Sequence, residues 1–216
     1  MIGRAVGIDL GAAAMHVVVV QDGAVVDGAV LDDVDAVLER CAGADRIGID
    51  APGAPSRGVH VGATDVSAKF VGARCGEIAA GEQLGVWVQW ATPGEDACAS
   101  WMRTGFRLWS ALEARGHVPI EVYPAGSVWL QARRWPPKKT TPAGLRFRRE
   151  LLARHLVLPP FVELWGHDSI DAAIAAAVAA QGDDAVVATH EDPSCDGSSI
   201  WFLNPEPSRA TGGAAR

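Results

Sequence analysis

Val6-Gly7-Ile8-Asp9-Leu10-Gly11 is an apolar run that carries one aspartate to its end and then meets a glycine. The pattern returns at Ile47-Gly48-Ile49-Asp50-Ala51-Pro52. Each reads as a buried strand ending in a carboxylate, and two such strands predict a shared acidic site at one edge of a sheet. A third acidic cluster, His167-Asp168-Ser169-Ile170-Asp171, opens an alanine-rich helix late in the chain. The expectation is that these three places meet around divalent metal.

Working outward, residues 4–10 predict a first strand, Met15–Val20 a strongly β-branched second, and Ala24–Leu31 a third after the turn Gln21-Asp22-Gly23. Short connections make these an antiparallel meander. Asp32-Asp33-Val34-Asp35 starts a helix with Val34, Val37, Leu38 and Cys41 as its apolar stripe, and Gly43 closes it. Arg46–Asp50 is the fourth strand. Residues 51–97 read as an insertion that holds a short helix near Arg74–Ala80 and a strand-like alternation at Val86-Trp87-Val88-Gln89-Trp90. A helix over Ala99–Arg115, a fifth strand over Val118–Tyr123 stopped by Pro124, and a helix opened by Thr141-Pro142 and running to about Leu156 follow. Asp168–Gln181 is the last helix, with Ile170, Ile174 and Val178 as a buried stripe. Two strands, Ala185–Ala188 and Ser199–Leu203, precede a Pro/Gly/Ala-rich tail that reads as disordered over 205–216. The order predicts an α/β fold: one domain over 1–204, with a mixed sheet (antiparallel three-strand meander plus parallel strands) covered by helices.

With 49% hydrophobic and 21% charged residues the composition is that of a globular protein rather than a disordered one. No apolar run approaches the roughly 20 residues that cross a bilayer, and the opening stretch has no signal core, so a cytoplasmic protein without membrane partners is expected. Cys41, Cys75, Cys98 and Cys195 form no CxxC pair and read as free thiols. The net charge of −7 argues against a generally basic nucleic-acid binder. Its distribution is uneven, because Arg133–Arg154 holds eight of the 19 basic residues against the single acid Glu150. That segment carries +7 and leaves −14 on the remainder of a −7 chain, so it can form a local anion-binding patch.

Taken singly, Asp9 and Asp50 could be turn residues, and Asp168 and Asp171 could be a helix N-cap and a first-turn acid. Taken together, carboxylates gathered at strand ends and a helix start repel one another. Divalent cations relieve that repulsion: Mg²⁺ takes a few carboxylates plus water and phosphate oxygens, and paired ions suit phosphodiester hydrolysis.

The acidic pattern is similar to the active-site frame of the RNase H-like superfamily, and more distantly to RuvC-type Holliday junction resolvases. It rests on Gly-Ile-Asp-Leu-Gly at 7–11, Asp50 on the fourth strand, and Asp168-x-x-Asp171-Ala-Ala-Ile-Ala-Ala. Over about residues 5–203 the chain resembles an uncharacterised family of predicted RNase H-fold nucleases of the DUF429 type. That likeness is carried by Gly7-Ile8-Asp9, Ile49-Asp50-Ala51-Pro52, Arg74-Cys75-Gly76-Glu77, the stretch Trp101–Trp109, Glu121-Val122-Tyr123-Pro124, Lys138-Lys139 and Trp165–Ala172.

The resemblance implies an RNase H-like fold and a nuclease acting on DNA or RNA, including branched forms, with Mg²⁺ or Mn²⁺. Asp9, Asp50, Asp168 and Asp171 are then the implied metal ligands. The resolvases have a glutamate where this chain has the shorter Asp50. Glu121 is either an extra ligand or a surface residue on an alternating strand. Lys138, Lys139, Arg146 and Arg149 are the expected phosphate-positioning cations, with Trp135 as a base-stacking candidate and His167 as a proton-transfer candidate. Two alternatives stay open. One is a non-catalytic nucleic-acid-binding or scaffold protein that keeps the fold. The other is an actin-like or sugar-kinase-type phosphotransferase, which shares Gly-Ile-Asp-Leu-Gly; its phosphate-binding hydroxyl is missing here, because Ala12-Ala13-Ala14 follows Gly11.

Overall fold

The computed structural model describes residues 3–58, 66–133, 136–192 and 194–206. A five-stranded mixed sheet is built from β1 (Arg4–Leu10), β2 (Met15–Gln21), β3 (Ala24–Leu31), β4 (Arg46–Asp50) and β5 (Ile120–Glu121), in the order β3-β2-β1-β4-β5. The first three strands pair antiparallel, while β4 runs parallel to both β1 and β5. This is the α/β arrangement of an RNase H-like fold.

Strand alternation sorts the core into two layers. Val6, Ile8, Leu10, Val17, Val19, Ile47 and Ile49 pack with Val37 and Leu38 of α1 (Val34–Cys41) and with Leu108 and Leu112 of α3 (Ser100–Glu113). Asp33 caps α1, its carboxylate accepting from the Ala36 N–H at 3.1 Å. On the opposite face, Ala5, Val18 and Val20 pack with α6 (His167–Gln181), backed by α4 (Pro124–Ala132) and α5 (Pro142–Leu152).

α6 is the pivot. Residues 170–180 are all buried, so the helix is enclosed on every side rather than carrying the single stripe predicted from Ile170, Ile174 and Val178. Its alanines let neighbours approach closely. Gly7 and Gly48 complete that approach: a Cβ at Gly7 would overlap the Ala172 carbonyl and the Ala176 backbone, and one at Gly48 would meet the Ala175 carbonyl. The helix backbone therefore lies directly on β1 and β4.

The 51–97 segment contains α2 (Cys75–Leu84) and packs on a separate hairpin, β6 (Val186–Thr189) and β7 (Ser199–Phe202). Phe70, Ile78, Val86 and Val88 share a core there with Ile200 and Phe202. The expected strand over Val86–Trp90 is absent. Its inward–outward alternation survives, with Val86 and Val88 buried and Trp87 and Gln89 exposed. Its polar groups, however, are taken locally: the Val86 N–H donates to the Ala80 carbonyl, the Gln89 N–H to the Tyr123 hydroxyl, and the Val88 carbonyl accepts from Lys69.

Other corrections are local. Pro124 does not end a segment but occupies the first turn of α4, where its missing N–H costs nothing. α5 stops at Leu152 rather than near Leu156, and β5 is only two residues long. Of the four cysteines read as free thiols, Cys75 and Cys195 form a disulfide across a separation of 120 residues, whereas Cys41 and Cys98 are free and buried. Trp135, Arg134 and nearly all of the tail assigned to 205–216 lie outside the described residues. Among the described residues no helix is long and apolar enough to cross a membrane.

Candidate metal centre and cleft

Gly7-x-Asp9 and Gly48-x-Asp50 are aligned residue for residue in the parallel β1–β4 pair, Gly7 opposite Gly48 and Asp9 opposite Asp50. Side chains two apart in a strand share a face, so both aspartates stand on the face that α6 covers, at the strands' C-terminal ends. Because the glycines let α6 settle against the sheet, Asp171 in its second turn comes down beside them. One carboxylate oxygen each from Asp9, Asp50 and Asp171 lies within 4.8 Å of the other two.

Asp9 and Asp171 are buried, and Asp50 is partly open. Burial, reinforced by the charges of Asp171 and Asp168, pushes the Asp9 carboxyl up to about 8 against the pull of Lys139. Burial first, then Asp9 and Asp171, drives Asp50 well above the ordinary carboxylate range. The metal-free cluster therefore retains a proton near neutrality, a property of the group rather than of one residue.

The cationic side is incomplete. Lys139 Nζ donates to Asp171 Oδ2 at 2.7 Å and stands 3.7 Å from Asp168 Oδ1. Arg148 Nε approaches Asp171 Oδ1 to 3.6 Å without forming a hydrogen bond. Asp171 Oδ1 and Asp9 Oδ2 are buried with no hydrogen-bond partner among the described residues. Three converging carboxylates with two orphaned oxygens are the donor set a hard divalent cation takes, so the residues fit Mg²⁺ or Mn²⁺.

Lys139 reaches the site because the loop before α5 folds onto the helix start. The Thr141 hydroxyl accepts from the Gly144 N–H and donates to the Lys138 carbonyl. A Cβ at Gly144 would overlap that carbonyl.

The remaining predicted site residues lie elsewhere. Asp168 is not part of the three-carboxylate group. It lies 2.5 Å from His167 Nδ1 and 3.9 Å from His16 Nε2, while His16 Nδ1 contacts the Ser169 hydroxyl at 2.9 Å. Glu121 lies outside the three-carboxylate group and is not a surface residue: it takes Arg74 NH1 at 2.6 Å and NH2 at 2.5 Å. Lys138 and Arg146 are exposed. Arg149 does not share a phosphate face with Arg146, because its guanidinium donates to the Glu163 and Trp165 carbonyls at 2.8 and 2.9 Å. The neighbouring Arg148 lines the cleft instead.

That cleft has a volume of about 1030 Å³. Asp9, Asp50 and Asp171 lie in it, and so do Lys69, Trp87, Trp90, Arg74 and Glu77 of the 51–97 segment. Sequence reasoning gave none of these five a functional role. The signal for two was present in Arg74-Cys75-Gly76-Glu77, an (i, i+3) charge pair at a helix start.

A family model described as "Protein of unknown function (DUF429)" matches residues 7–194. No curated protein and no solved structure matches the chain. The match takes in all three clustered aspartates and most of the sequence, and the chain belongs to that family.

Proposed function

We propose that this DUF429 chain is a divalent-metal-dependent nuclease that hydrolyses phosphodiester bonds of DNA or RNA, with Asp9, Asp50 and Asp171 as its metal ligands. The observation that carries the reading is the convergence of three carboxylates, two with orphaned oxygens, in one open cleft. Mg²⁺ or Mn²⁺ bound there would supply Lewis-acid stabilisation of phosphate charge and activation of water. The chain's own residues do the rest. Lys139 offsets one of the three negative charges and ties Asp171 to the α5 loop. Arg148 adds a second buried positive charge beside Asp171. Lys138, exposed at the rim, draws in the phosphate backbone.

Lys139 also favours a second reading. An internal ammonium already on Asp171 suits a nucleic-acid-binding protein that keeps the fold without catalysis.

The test incubates purified protein with single-stranded, duplex and branched DNA and RNA, with Mg²⁺, Mn²⁺ or a chelator, beside Asp9→Asn. The expected result is metal-dependent cleavage that falls on the order of a hundredfold or more in the variant. Nucleic-acid binding with no turnover, unchanged by Asp9→Asn, would instead establish the second reading.

A further inference from the structure

We infer that the cleft receives the bases of a single-stranded or locally unpaired nucleic acid, stacked on Trp87 and Trp90, beside the carboxylates of Asp9, Asp50 and Asp171. This rests on the nuclease reading and narrows its substrate.

Among the described tryptophans only Trp87 and Trp90 are exposed, at 45% and 70%, and both line the cleft that holds the acids. Exposing two of the largest apolar side chains in one cleft is unfavourable unless something covers them. Their backbone is held from several sides rather than left as a free loop. The Val86 N–H is bound by the Ala80 carbonyl at 3.0 Å, the Gln89 N–H by the Tyr123 hydroxyl at 3.2 Å, and the Thr92 N–H by the Glu77 carboxylate at 3.0 Å. Trp87 is seated against Phe70, with ring centroids 4.7 Å apart, and lies over Gly81, where any Cβ would strike its ring. A ring held like that of Trp87 loses little entropy when a flat ligand settles on it, and the more open Trp90 supplies a second face three residues on.

The cleft's other chemistry says which flat ligand. Lys138 is exposed, lines the same cleft, and forms no ion pair among the described residues, so phosphates have a partner there; Lys69 adds positive charge nearby, with its ammonium on the Val88 carbonyl and over the Phe70 ring. At about 1030 Å³ the cleft is at the upper limit of small-molecule pockets, roughly 300–1,000 Å³. Aromatic faces, exposed cations and a carboxylate cluster in one groove match a phosphate-linked chain of bases. Base faces are free to stack on tryptophan only when they are unpaired. DNA and RNA single strands share this chemistry.

The experiment measures binding of the full chain, in chelator, to fluorescein-labelled oligothymidylate, oligouridylate and a duplex. Each is about 12 nucleotides long, within the span of one such groove. Single strands are expected to bind more tightly than the duplex, with the two strand types separating DNA from RNA preference. Trp90→Ala should weaken single-strand binding roughly tenfold and leave duplex binding unchanged, as the loss of one base stack does. Trp90→Phe should restore most of the affinity, which separates stacking from any effect on folding. Equal affinity for duplex and single strand, or a Trp90→Ala change within about twofold when one stack is worth far more, overturns the inference. Because binding is read here and cleavage in the metal assay above, the two proposals fail separately. Tryptophan-dependent strand binding without turnover in that assay sinks only the nuclease, and metal-dependent cleavage beside strand binding indifferent to Trp90 sinks only the stacking platform.

Discussion

Two groups of buried charge share one cleft and are built on opposite principles. Around Arg74, which is 3% exposed, the charges are paired and only the Arg74 Nε lacks a hydrogen bond among the described residues: the two terminal guanidinium nitrogens bond Glu77 and Glu121, and Glu77 also takes the Arg74 N–H and the Thr92 N–H and hydroxyl. Around Asp171, which is 2% exposed, three carboxylates face one hydrogen-bonded lysine and the more distant Arg148, and two of their oxygens accept no hydrogen bond among the described residues. A satisfied buried network fixes structure, here pinning the 51–97 segment to β5. An unsatisfied one keeps acceptor oxygens free, which is what the proposed metal binding draws on.

The contrast breaks first if Arg74 is removed. Arg74→Ala leaves Glu77 and Glu121 buried without compensation and should lower unfolding free energy by about 3–5 kcal/mol. Urea denaturation measures it, and added Mg²⁺ should not restore the loss. A mild effect would mean that the cluster is less dry than its burial indicates.

The acid cluster should show the opposite dependence. Burial and the neighbouring acids push the Asp9 carboxyl up from 3.8 to about 8 in the folded chain, with Asp50 raised alongside it, so the folded cluster holds a proton that the unfolded chain has released. Between those values the unfolded state holds fewer protons, so metal-free stability should fall as pH rises from about 4 to 8, by about 1–3 kcal/mol. Thermal melts in chelator should show this decline, Asp9→Asn should flatten it, and Mg²⁺ should stabilise the wild type most at the upper end, where no proton competes. A metal-free profile that rises over that range would contradict the assignment.

The smallest effect belongs to Lys139, which is partly exposed. Lys139→Met should cost about 1 kcal/mol or less in chelator, and saturating Mg²⁺ should recover it, unlike the loss at Arg74. Failure of that rescue would make Lys139 a structural cation like Arg74.

Much of this was legible in the chain. The repeated Gly-x-Asp motif encodes both the carboxylates and the smooth surface on which α6 rests, since strand periodicity puts glycine and aspartate on one face. What stayed hidden depends on three-dimensional placement. Asp168 and Asp171 both sit near a helix start, and only the seating of α6 on Gly7 and Gly48 decides which one meets the sheet. Arg148 and Arg149 are adjacent in a basic run, and the direction each takes follows from the turn at 160–165, whose carbonyls hold Arg149. Glu121 alternates like a surface residue until Arg74 arrives from a segment 47 positions earlier. The Cys75–Cys195 bond spans too much sequence for spacing to announce it.

The one-to-one register of β1 and β4 also governs where the chain can change length. Adding or deleting a single residue within either strand would turn its aspartate to the opposite side, under α1 and α3. The connection that leaves after Asp50 faces no such parity constraint. Variation among relatives should accumulate there, and with it variation in what the cleft accepts, while the spacing from glycine to aspartate stays fixed.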